Sequence, residues 1–370
     1  MAFEPRIERL AENDGTLTVS FSNTNYSVVN ALRRTILTDI PIVCFKTFPY
    51  TESNCEIIKN TSQLNNEIIK HRLSCIPVHL DPDEDHYKNI KVIINKKNDT
   101  DEIIYVTTKD IILIDSVSDK QIPPSEVSQY FPPNELTKDY IDIVRLKPKL
   151  SKDIPGEELY LESSLTVSTA KVTSAFNVVS LCSYINTPDA ITANEKWIEI
   201  EKKMISDKVS KEDISYKKED WFNLDANRIF IENSFEFSIE TIGVFTNVDI
   251  IKKACVILKQ KLVDLEEKFK ADNIIINKLI STGDNVYETI LEEIDHTLGK
   301  IIEYALYQIY YESRKTISLC GFYKKHPHDN FSIIKIAFND EVDNGIIRDY
   351  FVTSITECIN IFEKFIDKLK

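Results

Sequence analysis

The chain has 370 residues, of which 59 are acidic and 45 are basic, so its formal net charge is −14. Because nonspecific nucleic-acid binding depends on Lys and Arg side chains that neutralise phosphates, this balance argues against a chain that grips DNA or RNA by itself. The sequence has no apolar run of roughly 18 residues, which argues against a membrane helix. The N-terminal segment does not resemble a signal peptide. The seven cysteines are scattered, which favours reduced thiols in a cytosol-like compartment.

The chain begins with a predicted hairpin and a helix. Residues 6–22 alternate in polarity around Asp14-Gly15, a dipeptide that favours a tight two-residue turn. Residues 24–37 follow with apolar positions at helical spacing. The predicted helix buries Val29, Leu32 and Ile36 and turns three polar side chains, Asn30, Arg33 and Arg34, outward. An adjacent arginine pair is compatible with a solvated face or with a protein interface.

Residues 48–228 read as a separate, β-rich subdomain. Segments such as IKVIINKK, EIIYVTT, DIILIDSV and ELYLESSLTVS are rich in Ile, Val and Tyr, as strands are. Two proline pairs, Pro123-Pro124 and Pro132-Pro133, predict loops between them. The segment 187–226 is dense in alternating charge, which predicts a solvated helix with mobile flanks and leaves a partner-binding role open.

A pattern of hairpin, helix, strands and long helix occurs twice. In the first copy, FEFSIETIG leads into a long helix, and in the second copy FSIIKIAFND does the same. The second copy begins with a predicted hairpin at 274–292 around Gly283, followed by the helix in IDHTLGKIIEYALYQIYY. The two long helices carry apolar side chains at steps of three and four, namely Ile251, Cys255, Leu258, Leu262, Leu265 and Phe269, and Phe351, Ile355, Cys358, Phe362, Phe365 and Leu369.

Packing of these two apolar stripes on each other would form a pseudo-symmetric pair within one chain. The alternative is that both helices line one ordinary core. We therefore predict an α+β fold. Its parts are a first dimerisation unit (1–47 and 229–270), the inserted β-rich subdomain (48–228) and a second dimerisation unit (274–370).

Five short motifs resemble one family. NALRRTILTDIP, NNEIIKHRLSCIPV and SIETIGVFTNVDIIKKACVILKQKL are similar to segments of the RNA polymerase alpha-type subunits, which comprise the bacterial alpha subunit, the archaeal D subunit and the third-largest subunit of polymerase II. EIDHTLGKIIEYAL and GFYKKHP resemble the smaller partner, the archaeal L or eukaryotic eleventh subunit. The residues of these last two motifs are Asp295, His296, Thr297, Leu298, Gly299, Gly321, His326 and Pro327.

The resemblance implies that the two alpha-like subunits are fused in one polypeptide, as in nucleocytoplasmic large DNA viruses. It further implies a non-catalytic assembly platform of a DNA-directed RNA polymerase, without a cofactor, working in the host cytoplasm and virion if the source is viral. The expected partners are the largest and second-largest subunits and small polymerase subunits. The expected interface residues are Asn30, Arg33, Arg34, His71 and Arg72. A fused-dimer scaffold unconnected with transcription is the alternative.

Four departures from the family pattern limit which residue roles can be transferred to this chain. Lys300 stands where the small partner usually has Asn, and His328 where it usually has Leu. TVSTAKVTSAFNV replaces the expected G-x-x-x-x-H-A-K-W segment. The inserted region has only Cys55, Cys75 and Cys182, without a C-x-x-C pair, so we expect no zinc or iron–sulfur site.

Chemistry of a stand-alone enzyme is not indicated. The sequence has no phosphate loop, no G-x-S-x-G and no N-A-D-F-D-G-D segment of a polymerase catalytic subunit. The run His326-Pro327-His328-Asp329 predicts a polar loop rather than a metal site, since no further ligands cluster with it. A nucleic-acid-binding module would need a basic stripe, and the lysines here alternate with acids.

Overall fold

The structure is a computed structural model that describes residues 4–149, 151, 155–279 and 285–369. The chain divides into two compact units. Unit 1 comprises Met1–Thr35, Leu181–Glu240 and Ile251–Lys370, and unit 2 comprises Ile36–Ser180 and Thr241–Ile250. Both helices and strands are abundant, which confirms the predicted α+β class.

The bounds of the elements are as follows. The helices are α1 (Tyr26–Thr38), α2 (Asn66–Ser74), α3 (Pro124–Tyr130), α4 (Ala190–Ser206), α5 (Lys211–Asn223), α6 (Asn247–Lys270), α7 (His296–Leu306) and α8 (Asn344–Lys368). The strands are β1 (Arg6–Asn13), β2 (Thr16–Ser22), β3 (Pro41–Cys44), β4 (Cys55–Asn60), β5 (Ile90–Lys97), β6 (Ile104–Thr107), β7 (Ile112–Asp115), β8 (Lys120–Gln121), β9 (Asp142–Leu146), β10 (Glu158–Ser164), β11 (Thr166–Thr169), β12 (Val179–Pro188), β13 (Phe230–Thr241), β14 (Ile275–Leu279), β15 (Val286–Glu292), β16 (Ile317–Tyr323) and β17 (Phe331–Phe338).

Unit 1 contains two four-stranded antiparallel sheets with the same pattern of strand order, β1-β2-β13-β12 and β14-β15-β17-β16. The predicted first hairpin is confirmed: Asn13 pairs with Thr16, and Asp14 and Gly15 have φ values of 49° and 81°. Both central residues of this turn are left-handed, as a type I′ turn requires. The second hairpin forms through the pairing of β14 with β15, while its turn around Gly283 lies outside the described residues. Internal symmetry between the sheets stays a prediction.

The two long helices of unit 1, α6 and α8, contact each other directly. The rings of Phe269 and Phe351 stack with centroids 4.7 Å apart, and Lys259 Nζ lies 2.7 Å from Glu363 Oε1. Phe365 also packs on Phe21 of β2, at 5.0 Å between centroids, so the helices share this core with a sheet. Every position predicted for the helix seam is buried, and those positions are Ile251, Cys255, Leu258, Leu262, Leu265, Phe269, Phe351, Ile355, Cys358, Phe362, Phe365 and Leu369.

Helix α7 ends earlier than its sequence pattern predicts. The predicted helix ran to Tyr311, but after Leu306 the chain continues as a π-helical segment, Tyr307–Ser313. In that segment Tyr310 is buried and stacks on Tyr350 with ring centroids 3.7 Å apart.

Unit 2 is built on a five-stranded antiparallel sheet in the order β4-β10-β5-β7-β8. Two strand pairs, β3 with β11 and β6 with β9, complete it, and α2 packs Ile69 and Leu73 into its core. The strand-rich character predicted for the insertion is therefore present. The loop predicted at Pro123-Pro124 is only partly present, because Pro124 begins α3. Proline is tolerated in the first turn of a helix because the backbone N–H that it lacks has no partner within the helix there.

The boundaries of unit 2 differ from the predicted 48–228. Residues 41–44 belong to unit 2 because β3 pairs with β11, and residues after 180 belong to unit 1 because β12 pairs with β13. Within unit 1, the charged segment 187–226 forms two helices, α4 and α5, where the sequence predicted one.

None of the helices in the described ranges combines the length and the apolar character that crossing a bilayer requires.

Candidate protein-interaction surface

Helix α1 presents the predicted polar residues on one side. It begins after Asn25, whose side-chain Oδ1 accepts a hydrogen bond from Ser27 N at 2.9 Å and so caps the first turn. Val29, Leu32 and Ile36 are buried at helical spacing, as expected. The three polar side chains on the neighbouring face, Asn30, Arg33 and Arg34, are half-buried.

Arg34 is engaged by its own chain. Its Nε donates to Thr297 Oγ1 at 2.8 Å, and its Nη2 lies 3.2 Å from Asp295 Oδ2. Both acceptors belong to the D-H-T-L-G motif at the start of α7, far along the sequence. An arginine fork suits this role because it can hold a hydroxyl and a carboxylate at the same time. Arg34 thus links α1 to the start of α7, and its contact with another protein stays a prediction.

Asp295 has a second role as the N-cap of α7. Its carboxylate accepts hydrogen bonds from Thr297 N and Thr297 Oγ1, both at 2.9 Å. Burial alone would raise the pKa of Asp295. The hydrogen bonds from Thr297 lower this pKa, and so do the charge and the hydrogen bond of Arg34. Together they outweigh the effect of burial, so the pKa lies below its ordinary value. The ionised carboxylate is thus the form that caps the helix and holds Arg34.

This lowered pKa predicts a small pH-dependent stability. A carboxylate whose pKa is depressed by folding stabilises the protein at pH values above its ordinary 3.8, and the stabilisation is lost as pH falls through the folded-state pKa. Asp295→Asn keeps the cap but removes the charge. Because Asp295 is half exposed, we expect the substitution to lower the free energy of unfolding by at most about 1 kcal/mol at neutral pH. Below pH 3.8, the free energies of unfolding of the variant and the wild type should approach each other.

Urea unfolding of wild type and Asp295→Asn between neutral and acidic pH measures this difference. In an Arg34→Gln background the same substitution should lower the free energy of unfolding by less, because the carboxylate has already lost the charge of Arg34. A difference that grows as pH falls would contradict the assignment.

Arg33 is held less tightly than Arg34. Its Nε donates to Asn30 Oδ1 at 3.2 Å, one turn earlier on the same helix face. Its backbone carbonyl lies 3.9 Å from Cys182 Sγ on β12. Burial raises the pKa of Cys182 to about 12, although the charge of Arg33 opposes this, so the thiol stays neutral at physiological pH. In the described part of the chain, no other hydrogen bond of the Arg33 side chain accompanies this one.

The start of α7 is packed closely on β16. A Cβ added to Gly299 would lie 2.0 Å from Phe322 Cε2, so only glycine allows this approach. His296 meets the same ring edge-on at 5.0 Å between centroids, and Lys300 Nζ lies 6.0 Å from its centroid. Leu298, in the same turn, is buried. Lys300, the departure from the family pattern, therefore lies over Phe322 and also pairs with Glu303 at 2.6 Å.

Of the other motif residues, Gly321 lies within β16, where it pairs with Lys335, and His326 and Pro327 lie in the exposed loop between β16 and β17. A Cβ on Gly321 would meet nothing within 4 Å, so the isolated chain does not require glycine there. His326, Pro327 and His328 are exposed, and His326 Nδ1 accepts from His328 N at 3.2 Å. His326 N donates to Asp329 Oδ2 at 2.9 Å. These contacts form a turn, and no cluster of three or more metal-ligating side chains occurs among the described residues.

His71 and Arg72 belong to unit 2, on the last turn of α2. His71 is exposed. Arg72 is exposed as well, although its Nη1 donates to the Ile143 carbonyl at 2.9 Å and so ties α2 to β9.

Sequence reasoning did not find the link from Arg34 to Asp295 and Thr297. The sequence shows an arginine pair on α1 and a capping motif before α7, but nothing in it joins the two. No spacing rule connects residues 261 positions apart.

The family can now be stated, since residues 18–262 match the model of the RNA polymerase Rpb3/Rpb11 dimerisation domain. The chain belongs to this family. The matched segment includes α1, unit 2 and most of α6, while the second repeat after residue 274 lies outside it.

Three relatives agree with the family match. The chain is 24% identical to "DNA-directed RNA polymerases I and III subunit rpac1" of Dictyostelium discoideum, over 75% of this chain and 83% of that protein. It is 23% identical to "DNA-directed RNA polymerase subunit Rpo3" of Methanobrevibacter smithii, over 69% and 94%. It is also 33% identical to "DNA-directed RNA polymerase II subunit rpb3" of Dictyostelium discoideum, but over only 20% and 22%.

Proposed function

We propose that the protein is a non-catalytic assembly platform of a multisubunit DNA-directed RNA polymerase and binds the large catalytic subunits. The observation that carries the proposal is the family match over α1, unit 2 and α6. The polymerase names of the relatives support it, because the alignments with two of them span most of both proteins. RNA synthesis would then be a property of the complex, to which this chain contributes structure.

The second repeat would act as the smaller, L-type partner, fused to the first. Its sheet repeats the strand order of the first sheet, and α8 packs along α6. Arg34 and Asp295 add a polar contact between the repeats. A covalent link replaces an assembly step between two subunits with an effective concentration on the order of millimolar. A viral source, with the host cytoplasm and the virion as its setting, remains part of this proposal, and the free cysteines suit such a reducing compartment.

On α1, Asn30 and Arg33 are the residues that we propose to contact a large subunit. Arg34 would support this surface by fixing the start of α7, because its guanidinium is already engaged. His71 and Arg72 would form a second contact, on unit 2. The proposed partners include small polymerase subunits as well, and neither a cofactor nor a direct grip on nucleic acid is part of the proposal.

Affinity purification of the tagged chain from its native setting, followed by mass spectrometry, tests the proposed function. We expect two large polypeptides, the proposed catalytic subunits, to copurify with the chain, and RNA synthesis in the eluate. A chain that elutes alone, or with proteins unrelated to transcription, would leave a fused-dimer scaffold as the better description.

Arg33→Glu tests the α1 surface. The Arg33 side chain makes one hydrogen bond to the residues that the structure describes, so we expect little loss of thermal stability. Reversal of a charge in a protein interface costs about 2 kcal/mol or more, so binding to the large subunit should weaken roughly 30-fold. The measurement is a titration of the purified large subunit by biolayer interferometry.

Arg228→Glu is the matched control, because the Arg228 side chain is 84% exposed and pairs only with nearby Asp225 among the described residues. Equal affinities of Arg33→Glu and Arg228→Glu for the large subunit would remove Arg33 from the interface.

A further inference from the structure

The charged segment of unit 1 folds into a helical hairpin with its own small core. Helix α4 is capped by Asp189, which accepts from Thr192 N at 3.0 Å, and α5 by Ser210, which accepts from Asp213 N at 3.1 Å. On α4, Ala193, Trp197 and Met204 are buried. Trp197 packs on Phe222 of α5 with ring centroids 6.4 Å apart. The inner face of α4 is therefore already occupied.

The outer face of α4 carries a second apolar stripe that nothing in the described chain covers. Ile191, Ile198 and Ile205 are 75%, 47% and 61% exposed. A spacing of seven residues rotates a side chain by only about 20° on an α-helix, so the three lie in one line along roughly 21 Å of helix. Single exposed isoleucines are ordinary on a protein surface, whereas an aligned row of them is typical of a helix that packs on another helix.

The charges beside this stripe indicate what covers it. Glu195 and Lys202 flank Ile198 on the same side, one turn before and one turn after it. In the described part of the chain neither forms an ion pair. If a second α4 lies antiparallel across a two-fold axis at Ile198, Ile191 faces Ile205 of the second copy. Glu195 then faces Lys202 of that copy, and the reverse pair forms as well.

We propose that α4 pairs antiparallel with α4 of a second copy, so that the free protein forms a symmetric homodimer. Such an interface is isologous, with the same patch contributed by both copies. It contains one helix from each chain and is smaller than the roughly 1,200 Å² of standard complexes, so the association is weak and reversible. The inference concerns the free protein and goes beyond the proposed function, because it does not use the surface around Arg33.

Sedimentation velocity of the full chain over a concentration series tests this dimer. We expect a monomer–dimer equilibrium with a dissociation constant of about 10–100 µM, in the range of small transient interfaces. Ile198→Glu places two carboxylates against each other on the axis, and we expect it to weaken the dimer at least tenfold. The control is Ile103→Glu in unit 2, a side chain of similar exposure at 53%, which should change nothing.

A charge exchange distinguishes this arrangement from other ways of covering the stripe. Glu195→Lys alone and Lys202→Glu alone each place like charges across the axis, so each should weaken the dimer several-fold. The double variant restores both pairs and should return the dissociation constant to within about twofold of wild type. A protein that remains monomeric throughout the series, or a dimer that Ile198→Glu or the single exchanges leave intact, would overturn the proposal. The charge exchanges at Glu195 and Lys202 therefore test the dimer even if Ile198→Glu alters the fold of the helical hairpin.

Discussion

Leu262→Asp is expected to unfold unit 1 or bring it close to unfolding. Leu262 lies in the middle of α6 and is fully buried. Removing a buried leucine side chain costs about 2–5 kcal/mol, and an unpaired carboxylate in the same place adds several more. The total approaches the whole stability of an ordinary domain, which is about 5–15 kcal/mol.

Circular dichroism during thermal and urea unfolding measures this effect. The matched control is Val256→Asp, on the same helix but 52% exposed, which we expect to stay within about 1 kcal/mol of wild type, as surface substitutions usually do. Equal midpoints for the two variants would mean that the outer and inner faces of α6 do not differ in their burial, and that the seam does not hold unit 1 together.

Local patterns were enough to predict much of this fold. The Asp14-Gly15 turn needs two left-handed residues, and this dipeptide tolerates them, so the first hairpin could be read directly. The stripes on α6 and α8 have the period of a helix with one buried face. By contrast, strand β12 was not predicted from the sequence. It is an end strand of its sheet with mostly exposed side chains, so the buried–exposed alternation that marks a strand is weak there.

Contacts between distant residues could not be predicted in the same way. Period and polarity place Arg34 at the edge of the apolar face of α1, but they do not show that Thr297 and Asp295 lie next to it. The boundary of unit 2 depends likewise on β3 pairing with β11, and the pairing of two short strands across a long insertion is not encoded in either strand alone.

Gly299 lies in the first turn of α7, where the helix packs closely on Phe322 of β16. Gly299→Ala would place a methyl group 2.0 Å from Phe322 Cε2, well inside contact distance. Phe322 is buried, and its backbone N is held by Glu303 Oε1 at 3.1 Å, which limits how far the ring can move. Because overpacking of a core costs about 1–3 kcal/mol, we expect a loss near the upper end of that range, although alanine favours the helix by nearly 1 kcal/mol.

Gly321→Ala provides the control, since its added methyl group meets open space and should leave the free energy of unfolding nearly unchanged. Urea unfolding of both variants separates a glycine that packing requires from one that the isolated chain does not. A double-mutant cycle with Phe322→Leu tests the cause. Once leucine replaces the aromatic ring, Gly299→Ala should lower the free energy of unfolding much less than it does in wild type. A cost that persists without the ring would place the strain in the α7 backbone instead. If Gly321→Ala is stable yet impairs binding of another protein, the glycine is needed by a partner that approaches β16 closely, and β16 would then be a further contact surface of unit 1.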